Sequence, residues 1–231
     1  MKKLTGYFTR GELLLWGCSA AAIVISFLMF DRECWLTLAA SLVGVTSLIF
    51  AAKGHPAAQA LMIVFAVMYG IISWGFSYYG EMITYVFMSL PMAVFSLISW
   101  IRHPSDKKNE VQVNRLKTPE YVLMAALTVV VTILFFFILR YFNTANPIPS
   151  TISVTTSFIA VYFTFRRSPL YAAGYAANDV VLIVLWTMAS VENIRYIPVT
   201  VCFAAFLIND LYGFVNWRKM AQRQLECSEC R

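Results

Sequence analysis

The sequence predicts an all-α polytopic membrane protein of eight transmembrane helices, and three observations carry that prediction. Its 231 residues are 60% hydrophobic and only 13% charged, against about 45–50% apolar and about 25% charged in a soluble domain. Eight apolar runs reach spanning length, near residues 13–30, 35–52, 57–77, 82–101, 119–142, 150–167, 170–190 and 196–217. A helix needs about 20 residues to cross a bilayer. The Lys and Arg residues, finally, sort to one side of these runs. Backbone groups in hydrocarbon must be satisfied within the segment, and the period-2 alternation of barrel strands is absent, so the runs are helices.

The first run follows Lys2, Lys3 and Arg10 and so looks like a secretory signal. It is too long for one, ends in Asp31-Arg32-Glu33 without a small-residue cleavage site, and precedes seven more runs, so it is expected to be a retained helix. The second run opens at Trp35. The third opens after His55-Pro56, and the fourth begins beside Glu81 and closes with Trp100-Ile101-Arg102. The longest stretch fit for water, Arg102 to Thr118, is too short to bury a core. In the fifth run, Tyr121 to Leu139 has only threonine among its polar residues after Tyr121. The seventh opens after Ser168-Pro169, and the eighth closes with Trp217-Arg218-Lys219. Pro91 and Pro198 are the expected hinges within runs four and eight.

Positive charge beside the spans sets orientation, and eight spans return both termini to one side. With the termini and the links after spans two, four and six in the cytoplasm, that side holds Lys2, Lys3, Arg10, Lys53, Arg102, Lys107, Lys108, Arg115, Lys117, Arg166, Arg167, Arg218, Lys219, Arg223 and Arg231, fifteen in all. The other side holds Arg32, Arg140 and Arg195. The net charge of +6 is therefore topological and no sign of a nucleic-acid partner.

A weak internal repeat is also visible. His55-Pro56 opens a helix that reaches Trp74, and the next helix closes at Trp100. Ser168-Pro169 opens a helix that reaches Trp186, and the next closes at Trp217. Spans two to four thus match spans six to eight, with the fifth as the linker that keeps both copies in one orientation. The expected organisation is a single membrane transport domain: an extra helix in 1–34, a first three-helix repeat in 35–102, a link and linker helix in 103–148, a second repeat in 149–220 and a tail in 221–231. Parallel repeats are a transporter architecture, with the substrate site near mid-membrane where they meet. Aromatic belts and proline-led helices, which recur in polytopic proteins generally, would leave a similar trace.

Carboxylates at depth are the most informative residues, because an ionisable group near the bilayer centre is costly and normally functional. Asn178-Asp179 lies halfway along span seven and Asn209-Asp210 in the inner half of span eight. Every Lys and Arg is at a helix end or in a link, so compensation falls to a cationic ligand, a proton, or hydrogen bonds from neighbouring Asn, Tyr and Ser groups. The last option would make these pairs helix glue. Tyr69, Trp74, Tyr85, Tyr175, Trp186 and Tyr212 could stack on a flat cationic ring, with Trp186 and Tyr212 the deeper ones. Trp35, Trp74, Trp100, Trp217, Tyr78, Tyr79 and Tyr196 suit interfacial belts. Glu81 opens span four at the outer boundary, where a helix N-terminus also tolerates an acid.

Enzyme chemistry finds little support. The only histidines, His55 and His103, are in links, and no His-Glu-x-x-His, glycine-rich phosphate loop or Gly-x-Ser-x-Gly motif occurs. No late helix holds a buried lysine for a retinal. Cys18 and Cys202 lie in apolar runs, Cys34 at a boundary, and Cys227 with Cys230 in the tail; a structural zinc site needs four ligands, so no metal or cofactor is expected.

Three stretches, YGEMITYVFMSLPMAVFSLISWIRHP from Tyr79, YAANDVVLIVLW from Tyr175 and NDLYGFVNW from Asn209, together resemble the PnuC family of bacterial vitamin transporters, nicotinamide riboside transporters in particular and the Gram-positive-like branch most closely. The likeness runs from about span two to the end of span eight. It implies a three-plus-one-plus-three bundle related to a full-length doubling of the SWEET unit, with the first helix outside it, and a homotrimer in the bacterial inner membrane. It also implies facilitated diffusion of nicotinamide riboside, trapped by a separate cytoplasmic kinase. The residues placed at the substrate are Asn178, Asp179, Trp186, Asn209, Asp210 and Tyr212, with Tyr69, Trp74, Glu81 and Tyr85 from the first repeat. Thiamine, riboflavin or a deoxynucleoside on the same fold, proton coupling, and a non-transporting receptor or scaffold are the alternatives.

Overall fold

The structure is a computed structural model that describes residues 7–75, 79–105, 109–144 and 146–229. Its helices are α1 (Arg10–Phe30), α2 (Trp35–Ala52), α3 (Ala57–Gly75), α4 (Tyr79–Arg102), α5 (Thr118–Tyr141), α6 (Pro147–Phe165), α7 (Tyr171–Glu192) and α8 (Ile197–Glu229). Each of the eight apolar runs has become a helix long and apolar enough to cross a membrane. Lys2, Lys3, Tyr78, Lys107, Lys108, Cys230 and Arg231 lie outside the described residues.

Local chemistry fixes the helix starts. Thr9 and Glu12 form a capping box on α1: Thr9 Oγ1 accepts from Glu12 N, and Glu12 Oε2 accepts from Thr9 N. At α3, the His55 ring accepts the Ala57 N–H on Nδ1 at 3.0 Å. At α7, Ser168 Oγ accepts from Leu170 N at 3.3 Å. Gly54 between α2 and α3 has φ +66°, the left-handed conformation that glycine tolerates. Within α4, residues Tyr85–Ser89 form a π-turn in which the Leu90 N–H bonds back to Tyr85 O. Pro91, one residue later, has no N–H to offer the Phe87 carbonyl and cannot pack against it in a regular α-turn, which accounts for the wider turn.

The helices packed most extensively are α7 with α8, α2 with α3, α6 with α7, and α2 with α8. α1 lies on α8 and α2, while α5 rests on α6 and also meets α4. Gly174 permits the close α6–α7 approach, since a Cβ there would stand 2.9 Å from the Ala160 Cα.

The links 53–56, 103–105 with 109–117, and 166–170 and the C-terminal part of α8 share one end of the bundle, called the charged end below. A strap formed by residues 109–117 ties several neighbours together there. Val111 N donates to Gly54 O, Asn114 N to Arg167 O, and Val113 N to Gln224 Oε1. Glu110 is buried and pairs with Arg223 and Gln224. This anchorage explains a difference from the sequence reading, which ended the last helix near Trp217: α8 continues twelve residues further, to Glu229. Trp100 and Trp217 also depart from the belt expectation, since both are fully buried at this end, whereas Trp35 and Trp74 are exposed.

Apolar cores flank the middle of the bundle. One, toward the far end, includes Tyr69, Leu185, Trp186, Val199, Cys202 and Phe203. Another, at the charged end, includes Ala51, Trp100, Tyr171, Trp217 and Met220. A third joins α4, α5 and α6 through Met88, Phe135, Leu139 and Phe158.

Candidate functional site

Between the first two cores, α2, α3, α4, α6, α7 and α8 enclose a cavity. α7 contributes Tyr175, Asn178, Asp179 and Leu182; α8 contributes Phe203, Phe206 and Asp210; the π-turn of α4 contributes Tyr85 and Ser89. Asp179 lies eight residues into α7 from the charged end, about 12 Å at 1.5 Å per residue. The room for the centre of a water-sized sphere is about 40 Å³, space for about three ordered waters at about 10–15 Å³ each.

The lining is acidic and aromatic. Asp179 and Asp210 are each 3% exposed, and their carboxyl groups face each other across the α7–α8 contact. Asp179 Oδ2 has no hydrogen-bond partner. Among the described residues no lysine or arginine lines the cavity. Asn178 is held by α6, its Oδ1 accepting from Thr156 Oγ1 at 2.9 Å, Ser157 Oγ at 3.0 Å and Ser153 Oγ at 3.4 Å. With the carbonyl so engaged, its amide NH₂ is the end left for another partner. Phe65, Tyr85, Tyr175, Phe203 and Phe206 supply ring surface. Tyr85 stacks on Tyr69 with centroids 4.4 Å apart, and Tyr69 meets Trp186 edge-on at 6.3 Å.

Of the ten residues singled out in the sequence, Asn178, Asp179, Asp210 and Tyr85 come together at the cavity. Tyr69 and Trp186 form the buried aromatic layer behind Tyr85 instead of lining it. Asn209 turns to α1, its Nδ2 donating to Ser19 Oγ at 2.9 Å and to Ala205 O at 2.8 Å. Tyr212 also turns to α1 and donates to Glu12 Oε1 at 2.8 Å, where Glu12 also pairs with Lys53 at 3.1 Å. Trp74 is 62% exposed and meets Tyr79 edge-on. Glu81 is not at an open boundary as its place in the sequence suggested: it is 3% exposed, and Tyr69 and Tyr85 are among its electrostatic neighbours.

The sequence reading missed Gln59, Ser89, Ser96 and Ser157, the remaining polar groups of the lining, and the rings of Phe65, Phe203 and Phe206. Gln59 carried a signal, as an uncharged amide one turn inside an apolar run. The serines carried none, because a serine in a membrane helix can satisfy itself on a backbone carbonyl.

At the charged end the cavity is capped by a reciprocal exchange. Trp100 Nε1, at the end of α4, donates to Thr164 O near the end of α6 at 2.9 Å, and Ser99 Oγ donates to Phe165 O at 3.0 Å. Trp217 Nε1 of α8 donates to Ala51 O near the end of α2 at 2.8 Å, and Asn216 Nδ2 donates to Ala52 O. The two indoles meet with centroids 5.4 Å apart, and Tyr171 packs on Trp217 at 4.6 Å.

Comparison with known proteins places this architecture. The chain is 24% identical over 96% of its length to the nicotinamide riboside transporter PnuC of Neisseria mucosa, covering 86% of that protein. It is 24% identical to the protein of the same name from Haemophilus influenzae, over 83% of this chain and 82% of that one. The crystal structure of the vitamin B3 transporter PnuC shares the fold with a TM-score of 0.82 at 23% identity, covering 96% of both chains. The profile of the family described as nicotinamide mononucleotide transporter matches residues 34–219, which is α2 to the Trp217 turn of α8, so the chain belongs to this PnuC family of membrane transporters.

Proposed function

We propose that the protein carries nicotinamide riboside across the bacterial plasma membrane through the cavity that holds Asp179 and Asp210. The observation that carries this reading is the charge of the lining: two adjoining carboxylates and no lysine or arginine. Nicotinamide riboside is a flat pyridinium cation bearing ribose hydroxyls. The carboxylates and the faces of Tyr85 and Tyr175 suit the ring, and Asn178, Gln59 and the serines suit the hydroxyls. The mononucleotide in the family's description adds a phosphate, which would meet both carboxylates with no cation to offset them. The lining therefore favours the riboside.

The family resemblance supports a homotrimer with one path per protomer, facilitated diffusion, and trapping of the cargo by a separate cytoplasmic kinase. The sorting of Lys and Arg supports cytoplasmic termini, which makes the charged end the inner one. The reciprocal bonds of Trp100 and Trp217 support the division into repeats 35–102 and 149–220, since each repeat presents the same clasp to the other. Transport then proceeds by rocking of the repeats about the cavity. Its small volume requires the helices to part before cargo enters.

The test is calorimetric titration of the purified protein with nicotinamide riboside, thiamine, riboflavin, a deoxynucleoside and nicotinamide mononucleotide, followed by flux into sealed vesicles. Tight binding and flux of the riboside alone are expected. Preference for another compound would overturn the cargo, and binding without flux would make the protein a receptor.

A further inference from the structure

At the charged end, outside the transport cavity, a hollow of about 350 Å³ lies between the strap, the first turn of α5, the α6–α7 link and α8. That volume is within the usual range of small-ligand pockets, about 300–1,000 Å³. Arg115 of the strap and Arg218 of α8 both line it, with Tyr121, Ser168 and Gln222, and among the described residues no aspartate or glutamate does. The acids of the adjoining segments are engaged elsewhere, Glu120 with Arg166 and Glu110 with Arg223. Among the described residues neither Arg115 nor Arg218 has an ion-pair partner. Arg218 lies over the Phe214 ring at 5.4 Å.

Positive charge at this end follows from topology, but topology alone scatters it. It does not require two arginines from separate segments to converge, without a counter-ion, on one hollow of ligand size. We infer that this hollow binds an anionic phosphate ester. Guanidinium forks match phosphate oxygens in pairs, the Tyr121 ring offers a stacking face, and Ser168, whose Oγ accepts from Leu170 N, keeps its proton to donate. The source is either a soluble phosphorylated metabolite or the headgroup of an anionic lipid. Such an anion ties the strap to α8 one residue beyond Trp217, and so holds the charged end shut.

The test titrates the full-length protein, in discs of neutral phosphatidylcholine, with phenyl phosphate and with phenol as the uncharged control. Phenyl phosphate is expected to bind and phenol not to. The double variant Arg115→Gln/Arg218→Gln is expected to bind at least tenfold more weakly, with its ligand-free melting temperature unchanged. Discs containing phosphatidylglycerol separate the sources. Unchanged affinity assigns the site to a soluble compound. Competition by the lipid, with lipid retained through purification by the wild type and lost by the double variant, assigns it to a headgroup. No binding of phenyl phosphate in neutral discs, or equal binding by the double variant, overturns the inference.

Discussion

Asp179 and Asp210 reach the cavity from adjacent helices, and Asp179 Oδ2 is buried there with no hydrogen-bond partner. On the proposed reading each carboxylate is a charged partner of the cargo, worth about 1.5–3 kcal/mol. Asp179→Asn and Asp210→Asn are each expected to weaken riboside binding about tenfold to a hundredfold, measured by calorimetry. The double variant should lose less than the sum, because the groups adjoin. These acids were legible in the sequence because a charge inside an apolar run demands an account. Their neighbours were less so. Asn209 shares a dipeptide with Asp210, but one residue is a turn of about 100° on a helix, and that turn delivers Asn209 to Ser19 of α1. No pattern within α8 announces which side α1 will occupy.

The π-turn of α4 sets the places of Tyr85 and Ser89 along the cavity, and Pro91 maintains it. Pro91→Ala restores an N–H and lets the helix relax toward α geometry. The variant is expected to melt at a higher temperature and to bind cargo several-fold more weakly, a pairing seen where a strained element serves function. At the start of α3, burial lowers the pKa of His55 below its usual value, and Nδ1 must stay unprotonated to accept the Ala57 N–H. The unfolded chain therefore takes up the proton first, near pH 6.5. Stability contributed by neutral His55 is complete above that pH and is lost as pH falls below it. Melting temperature should drop between pH 7.5 and pH 5.5 in the wild type and drop less in His55→Asn, which keeps an acceptor that does not titrate. A slope unchanged by the substitution would dismiss the idea. Helix positions were readable from hydropathy wherever lipid or core sets them. The polar extension of α8 was not, because beyond Met220 and Ala221 it is held to the strap by hydrogen bonds of Arg223 and Gln224.

For the molecule as a whole, the proposed rocking of the repeats would have to break the exchange of Trp100 and Trp217 to open the charged end. Trp217→Phe keeps an aromatic ring and deletes the bond to Ala51 O, which still accepts the Gly54 N–H at 2.9 Å, so the loss is that of one hydrogen bond, about 0.5–1.5 kcal/mol. The variant is expected to favour the opened form. A cysteine placed at Ser96, in a background with the native cysteines replaced by serine, should react faster with a membrane-impermeant thiol reagent when Trp217 is Phe. Equal rates would remove these indoles from gating. The order of the spans was legible because charge alternates link by link with few exceptions. The indole exchange was not, since a tryptophan near a helix end reads equally well as an interfacial anchor.

The narrowness of the cavity has a bioenergetic side. With room for about three waters, and with rings packed on both sides of the cavity, the protein is expected to offer no hydrated wire along which sodium ions or protons could run. A cell could hold many copies without short-circuiting the gradient that drives its ATP synthesis. Proteoliposomes loaded with a pH-sensitive dye should accordingly hold an imposed proton gradient as long as empty liposomes do, and a leak that scales with protein content would contradict the picture.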